Sequence, residues 1–158
     1  MIQNKEYLIY SLENAVNYLK EEVNKSIQTN IPEHKEVYYR LGTSILWIGI
    51  CIGNLKELNI TYTKEENDYV QAFLGAYNAQ KHGVDFLGFT GFISGNRWPI
   101  RFPMRFGDGN YFFKELDENI IQNKEQIKRY NKILKERDII TCVNKIKDII
   151  IEKIKNED

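Results

Sequence analysis

The sequence predicts an all-α protein, a bundle of four or five helices with one irregular, aromatic- and glycine-rich insertion at about residues 84–114. Apolar residues recur at helical spacing through most of the chain. The one long interruption of that spacing is rich in glycine, proline and phenylalanine, which break helices or end them. A length of 158 residues, 42% of them hydrophobic and 28% charged, suits a single globular domain over residues 1–158.

The first two helices are predicted over residues 6–26 and 32–58. Pro32 separates them, because proline disfavours helix in the residue before it and is tolerated in a first turn. The middle of the second helix, from Ile45 to Leu55, is apolar almost all round. That pattern is typical of a helix at the centre of a bundle.

The third helix is predicted to follow Thr63 and to run to His82. Thr63 and Glu66 have the spacing of a capping box, in which two side chains satisfy free N–H groups at a helix start. Gly83 is placed to end the helix, since glycine adopts the left-handed backbone of a C-terminal cap. One face of this helix carries a polar stripe, formed by Gln71, Gly75, Asn78 and His82.

The insertion has room for a small β-hairpin before helical spacing returns. Apolar and basic residues alternate from Ile100 to Phe106, which predicts an edge strand that could pair with Tyr111–Phe113. Helical spacing resumes from Glu118 onward. Either this segment is kinked near residues 136–138, or Asp138 caps a separate last helix.

Composition limits the functions that the chain can have. Twenty-two basic and 22 acidic residues give no net charge, so any contact with nucleic acid must be local. The sequence shows no signal-peptide pattern and no apolar run long enough to span a bilayer, which predicts a cytoplasmic protein without membrane contact. Cys51 and Cys142 lie in apolar helical contexts and are predicted to be reduced core residues. Neither a metal site nor a cofactor is predicted.

Asn78 and His82 are the residues that could carry chemistry, because they lie one turn apart on the third helix. Histidine can give or take a proton near neutral pH. A structural role fits the same positions. A histidine at a helix end can cap carbonyl groups and interact favourably with the helix dipole, with the asparagine bonded to it.

The helical bundle and the stretch Tyr77-Asn78-Ala79-Gln80-Lys81-His82 resemble the HEPN superfamily. The motif of that family is an arginine, often followed at once by asparagine, with a histidine after four to six residues. Many members are metal-independent ribonucleases of toxin–antitoxin, abortive-infection and other antiviral systems. Here the asparagine and histidine match, whereas Tyr77 takes the place of the arginine.

The resemblance implies that His82 would be the acid–base group and that Asn78 would orient it or contact phosphate. Metal-free RNA cleavage needs such proton transfer together with cationic donors aimed at the developing charge. Tyrosine cannot replace the bidentate phosphate donor that arginine supplies, so the protein is either an active nuclease or one impaired at this site. The resemblance also implies a homodimer, in which two motif helices face a shared cleft.

Positive charge for an RNA partner could come from residues near His82. Arg101 and Arg105 share one face of the predicted strand, and nearby Trp98, Phe102 and Phe106 could stack on bases. An alternative interpretation is that the aromatic residues cap the end of the bundle and the arginines are a solvated strand face. The candidate substrate-binding residues are Lys81, Arg97, Arg101, Arg105 and Tyr77.

A second functional hypothesis is a non-catalytic helical adaptor or antitoxin-like module. Such a protein would have lost the motif arginine and would bind a protein partner through the phenylalanine-rich insertion. Substitution of Phe102 or Phe106 would then break a complex that His82→Ala leaves intact.

Overall fold

Five helices and one small sheet make up the part of the chain that the computed structural model describes, residues 2–29, 31–90, 110–119 and 122–157. The sheet has two antiparallel strands and follows the third helix. The predicted fold class, an all-α bundle with a small hairpin, is confirmed. In chain order the elements are α1 (Lys5–Thr29), α2 (His34–Glu57), α3 (Lys64–Lys81), β1 (Leu87–Thr90), β2 (Asn110–Phe113), α4 (Lys124–Ile133) and α5 (Ile139–Lys155).

The hydrophobic core is shared by all five helices. Helix α3 packs against α2, α4 and α5, while α1 packs against α2 and α5. Both cysteines are buried and unpaired, as predicted. Helix α2 is not covered all round, because Tyr39 is 65% exposed and Leu46 42% exposed on its outer face. The apolar residues Ile45, Ile48, Cys51, Ile52 and Leu55 of its middle are buried, as expected for a helix at the centre of a bundle, and its outer face is exposed.

The last two helices are separate, which resolves the choice left open by the sequence. The Asp138 carboxylate accepts a hydrogen bond of 2.7 Å from the Thr141 backbone N–H and caps α5. Helix α4 begins only at Lys124, after Asn123 has capped it. The prediction of helix from Glu118 was wrong at its start, because the Asp117 side chain accepts a hydrogen bond from the Asn119 backbone and holds a turn there.

The sheet pairs β1 with β2, with Gly88 opposite Phe112. The Phe112 ring lies so close to Gly88 that a side chain at that position would collide with it. Tyr111–Phe113 therefore forms a strand as expected, but its partner is Leu87–Thr90. The predicted strand from Ile100 to Phe106 lies outside the described residues.

Aromatic side chains of β2 attach the sheet to the bundle. The Phe113 ring meets Phe73 of α3 and Tyr130 of α4 edge to face, each at 5.9 Å between ring centres. The Tyr111 hydroxyl lies 2.7 Å from the Ser26 hydroxyl and accepts a bond of 3.1 Å from the Glu33 backbone N–H. These contacts fix the chain that leaves α3 against the turn between α1 and α2.

Candidate functional site

Helix α3 packs closely against α2 and α4 at two glycine residues. A Cβ atom at Gly75 would lie 2.6 Å from the Gln126 carbonyl oxygen of α4. On the other side, the Tyr77 ring packs so closely on Gly49 that a Cβ there would lie 2.9 Å from it. Neither contact leaves room for a side chain, so glycine at these positions sets the distance between the helices.

Backbone hydrogen bonds close the C-terminal end of α3. Gly83 adopts the left-handed conformation, with φ of +68°. Its N–H donates to the Gln80 carbonyl at 3.0 Å, and the Val84 N–H donates to the Ala79 carbonyl at 3.0 Å. This pair of bonds is a Schellman motif, so Gly83 is the helix cap that the sequence predicts.

His82 lies at this end with an exposed side chain. Its backbone N–H donates to the carbonyls of Asn78 and Ala79, at 3.2 and 3.1 Å. Among the described residues, however, no hydrogen bond involves the imidazole. Within the described part of the chain, the helix carbonyls are therefore capped by backbone groups and not by the exposed histidine ring.

Asn78 contacts α4 and does not pair with His82. Its side-chain N–H donates to the Gln126 side-chain oxygen. The expected hydrogen bond between Asn78 and His82 is not observed, because the asparagine side chain is half-buried against the neighbouring helix. In this arrangement Asn78 holds the last turn of α3 on α4.

Tyr77 and Lys81 lie on the same side of the last turn of α3. The Lys81 ammonium is 4.9 Å from the centre of the Tyr77 ring, within the range of a cation–π contact. The Tyr77 ring also packs on Gly49. Lys81 is exposed and directly precedes His82 in the sequence, so it places a positive charge beside the histidine.

The second histidine lies at the same end of the bundle, which the sequence did not indicate. Burial tends to raise the pKa of the Asp85 carboxyl, but the hydrogen bonds from Lys114 and the Leu87 backbone, followed by the charges of Lys114 and His34, hold that pKa below its usual value. The Lys114 ammonium is 2.6 Å from the Asp85 carboxylate. His34 starts α2, and Asp85 is three residues beyond His82, so two imidazoles share this end of the molecule.

The remaining candidate residues lie outside the described part of the chain. This holds for Arg97, Arg101 and Arg105, and for the aromatic residues Trp98, Phe102 and Phe106. Within residues 2–29, 31–90, 110–119 and 122–157, no group of three or more His, Cys, Asp or Glu side chains could hold a metal ion. Over the same residues, no helix has both the length and the apolar character that a membrane crossing requires.

Comparison of the chain with protein-family models, with curated proteins and with solved structures finds no significant match. The site is therefore defined by its own geometry. Two of its members escaped sequence reasoning, Gln126 and Asp85. Gln126 is 48 residues from Asn78, so no local spacing could reveal the pairing.

Proposed function

We propose that this protein is a HEPN-like RNA-binding or metal-independent RNA-cleaving protein of a bacterial toxin–antitoxin or antiviral defence system. It would act in the cytoplasm as a homodimer. The observation that carries the proposal is the exposed His82 imidazole at the end of a packed motif helix, without a hydrogen-bond partner among the described residues.

In this proposal His82 transfers the proton in cleavage of the RNA backbone. A neutral imidazole can remove the proton of a ribose 2′-hydroxyl, and an imidazolium can protonate the leaving oxygen. Asn78 would position His82, because its hydrogen bond to Gln126 holds the last turn of α3, next to His82, against α4.

The positive charge needed at the phosphate would come from Lys81 together with Arg97, Arg101 and Arg105. A lysine provides a point charge without the planar fork of the missing motif arginine. Tyr77 would contribute through its ring, which contacts the Lys81 ammonium. We therefore expect slower cleavage than an arginine at position 77 would give, and binding that weakens with salt.

The test is incubation of the purified protein with a labelled single-stranded RNA and with tRNA, in buffer with EDTA. Wild type should generate products with 2′,3′-cyclic phosphate ends, detected by mass spectrometry. His82→Ala should reduce the rate by about 100-fold or more, the scale of a lost acid–base group. Equal RNA integrity with wild type and His82→Ala would remove the nuclease part of the proposal.

RNA binding is tested separately from cleavage by a matched pair of lysine variants on α3. Lys81 and Lys64 are both exposed and lie at opposite ends of the helix. In a filter-binding titration at low salt, Lys81→Gln should weaken RNA binding several-fold, whereas Lys64→Gln should not. Equal effects would mean that the His82 end is not the RNA surface.

A second candidate function is the non-catalytic adaptor, which exposed aromatic residues on α1 favour. Tyr7 is 72% exposed and Tyr10 68% exposed, one turn apart on the outer face of that helix. Exposed aromatic patches are typical of protein interfaces. Under this proposal Tyr10→Ser would disrupt a co-purifying complex in size-exclusion chromatography, and His82→Ala would leave it intact.

A further inference from the structure

The exposed apolar side chains of the molecule are concentrated on its first helical hairpin, formed by α1 and α2. Among the described residues, every exposed large hydrophobic side chain lies there: Tyr7, Tyr10, Tyr18, Ile31, Tyr39 and Leu46. None of them belongs to α3, α4 or α5. Single exposed hydrophobic residues are common on soluble proteins, but a group of them on one hairpin indicates a binding surface.

The exposed residues of the two helices belong to two stripes with the spacing of a helix–helix seam. On α1, steps of three and four residues connect Tyr7, Tyr10, Asn14 and Tyr18. On α2, the same steps connect Tyr39, Thr43, Leu46, Ile50 and Gly53. Such steps keep residues on one face of a helix and are typical of faces that pack against another helix. Here both faces point away from the core, because Tyr10 is 68% exposed and Leu46 42% exposed.

The two stripes lie side by side, because α1 and α2 pack against each other. The Arg40 guanidinium of α2 lies 5.2 Å from the centre of the Tyr18 ring of α1, at the end of the hairpin where the helices are joined. With about 200 Å² for a whole tyrosine, the four exposed tyrosines offer about 500 Å². One partner contributes about 800 Å² to an interface of standard size, so the stripes supply much of that area.

The charges around the stripes are acidic. From Glu6 to Leu19, the charged residues of α1 are Glu6 and Glu13, and both are exposed. From Leu41 to Leu55, α2 has no charged residue. A second copy of this chain would bring two more carboxylates from the same segments and no lysine or arginine, and like charges across an interface are unfavourable. The surface therefore suits a partner with positive charge beside its apolar residues.

We propose that the two stripes bind an amphipathic helix of a protein partner, whose apolar seam is flanked by lysine or arginine. The helix would lie along the groove between α1 and α2, as helices do in apolar grooves of other proteins. Its apolar residues would cover Tyr10 and Leu46, and its cations would face Glu6 and Glu13. The inference rests on the second candidate function, the adaptor, and is independent of RNA cleavage at His82.

Fluorescence-anisotropy titration of the purified full chain with a labelled synthetic helix tests the surface. The probe is a peptide of about 20 residues, which spans about 30 Å as a helix, with leucine along one seam and lysine on both flanks. A matched peptide has glutamate in place of lysine. The lysine peptide should bind one to one and about tenfold or more tightly than the glutamate peptide, with a difference that shrinks in high salt. Absence of binding, or equal binding of both peptides, would overturn the proposal.

Serine variants locate the apolar part of the contact. Tyr10→Ser and Leu46→Ser should each weaken binding of the lysine peptide by about tenfold or more, because central apolar contacts dominate such interfaces. Ile31→Ser removes a similarly exposed side chain outside both stripes and should leave binding unchanged. All three positions are exposed, so their melting temperatures should stay close to wild type. Equal affinity in the three variants would place the peptide elsewhere and overturn the assignment.

Glutamine variants test the charges. Glu6→Gln and Glu13→Gln should each weaken binding of the lysine peptide by about two- to fivefold, the scale of an exposed ion pair. The double variant should also lose part of the preference for lysine over glutamate peptide. Glu152→Gln neutralises an exposed carboxylate of α5 and should change neither quantity. An undiminished preference in the double variant would overturn the basic flanks that the proposal gives the partner.

A second copy is the competing occupant, and sedimentation equilibrium distinguishes it from a partner helix. Wild type and Leu46→Ser should have the same molecular mass in solution. A wild-type dimer that Leu46→Ser dissociates would show that the chain covers this surface itself, and the proposal would be wrong.

Failure of this inference can be distinguished from failure of the proposed functions. Binding of the lysine peptide by a protein that leaves RNA intact would remove only the nuclease proposal. RNA cleavage without peptide binding would remove this inference alone. A co-purifying complex that Tyr10→Ser disrupts, in a protein that binds neither peptide, would keep the adaptor and overturn the helical partner.

Discussion

The two ends of helix α3 are fixed by different kinds of contact. At the start, the Thr63 hydroxyl accepts a bond from the Glu66 N–H at 3.2 Å, and the Glu66 carboxylate accepts one from the Thr63 N–H at 2.7 Å. That carboxylate also lies 2.9 Å from the Lys153 ammonium of α5. At the other end, the cap around Gly83 is formed by backbone groups.

This difference shows which polar residues remain available for chemistry. The acidic residues in the first turns of α3 are all held by cations of α4 or α5: Glu65 by Lys145, Glu66 by Lys153 and Asp68 by Arg129. In the last turn, His82 and Lys81 have exposed side chains. The acidic groups at the start of the helix are thus engaged in ion pairs, whereas the exposed His82 and Lys81 at its end can meet a ligand.

The largest effect on the free energy of unfolding is expected from Gly75→Ala, which would disturb the packing of α3 against α4. A Cβ atom 2.6 Å from the Gln126 carbonyl forces α4 to move, and overpacking of this kind destabilises proteins by about 2 kcal/mol. Urea unfolding measures it. Gly53→Ala is the control, because nothing lies near that exposed helical glycine, and it should stabilise the protein by about 0.5–1 kcal/mol. Effects of the same sign would contradict this account.

Gly83→Ala should disrupt the cap at the C-terminal end of α3. Alanine must adopt a φ of +68° there, which lowers the free energy of unfolding by about 1–2 kcal/mol. Gly83→Asn should be milder, since asparagine tolerates this conformation. If the two variants unfold at the same urea concentration as wild type, the backbone cap does not hold this end.

Thr63→Ala should remove the cap at the N-terminal end of α3 and lower the free energy of unfolding by about 1 kcal/mol. The hydroxyl that satisfies the Glu66 N–H is lost. Thr63→Ser keeps the hydroxyl and should unfold close to wild type. A serine variant as unstable as the alanine variant would show that the methyl group, and not the cap, matters.

A smaller, pH-dependent effect is expected at the same end. The backbone hydrogen bond from Thr63, and then the contact with Lys153, hold the pKa of the Glu66 carboxyl below its usual value. A carboxyl with a lowered pKa stabilises the fold above its unfolded pKa, and this contribution is lost as the pH falls through the folded pKa. Glu66→Gln should therefore be less stable than wild type at pH 7, with the difference shrinking below pH of about 4. A difference that is constant with pH would contradict this.

The smallest effect on stability is expected from His82→Ala. An exposed imidazole without a hydrogen bond among the described residues should change the free energy of unfolding by less than about 0.5 kcal/mol. RNA cleavage should nevertheless be lost under the proposed function. A strongly destabilised His82→Ala would show that the ring has a structural role at this end.

The helices could be predicted from the sequence because their signals are local. The spacing of apolar residues, the Thr63–Glu66 pair and the glycine after His82 are each read within a few residues, and the structure has α3 between them. The partner of β2 was missed because the signal in Leu87–Thr90 is short, and pairing across a long insertion depends on packing against the bundle.

The surroundings of the candidate site could be predicted only in part. The exposed end of α3 follows from the glycine stop and from the helical register of His82. The engagement of Asn78 with Gln126 and the pairing of Asp85 with Lys114 join positions that are far apart in sequence. Such contacts depend on how helices cross, which a single sequence does not encode in any local pattern.

Tyr111 has a consequence for how the chain reaches its fold during synthesis. Its hydroxyl completes hydrogen bonds at Ser26 and Glu33, and 85 residues separate it from Ser26. On the ribosome, the first helical hairpin therefore emerges with only the local bonds that Ser26 makes to Ile31 and Glu33, and it gains those of Tyr111 when the second half of the protein has been translated. The loop between α1 and α2 in a nascent chain should be open to protease until that moment and protected afterwards.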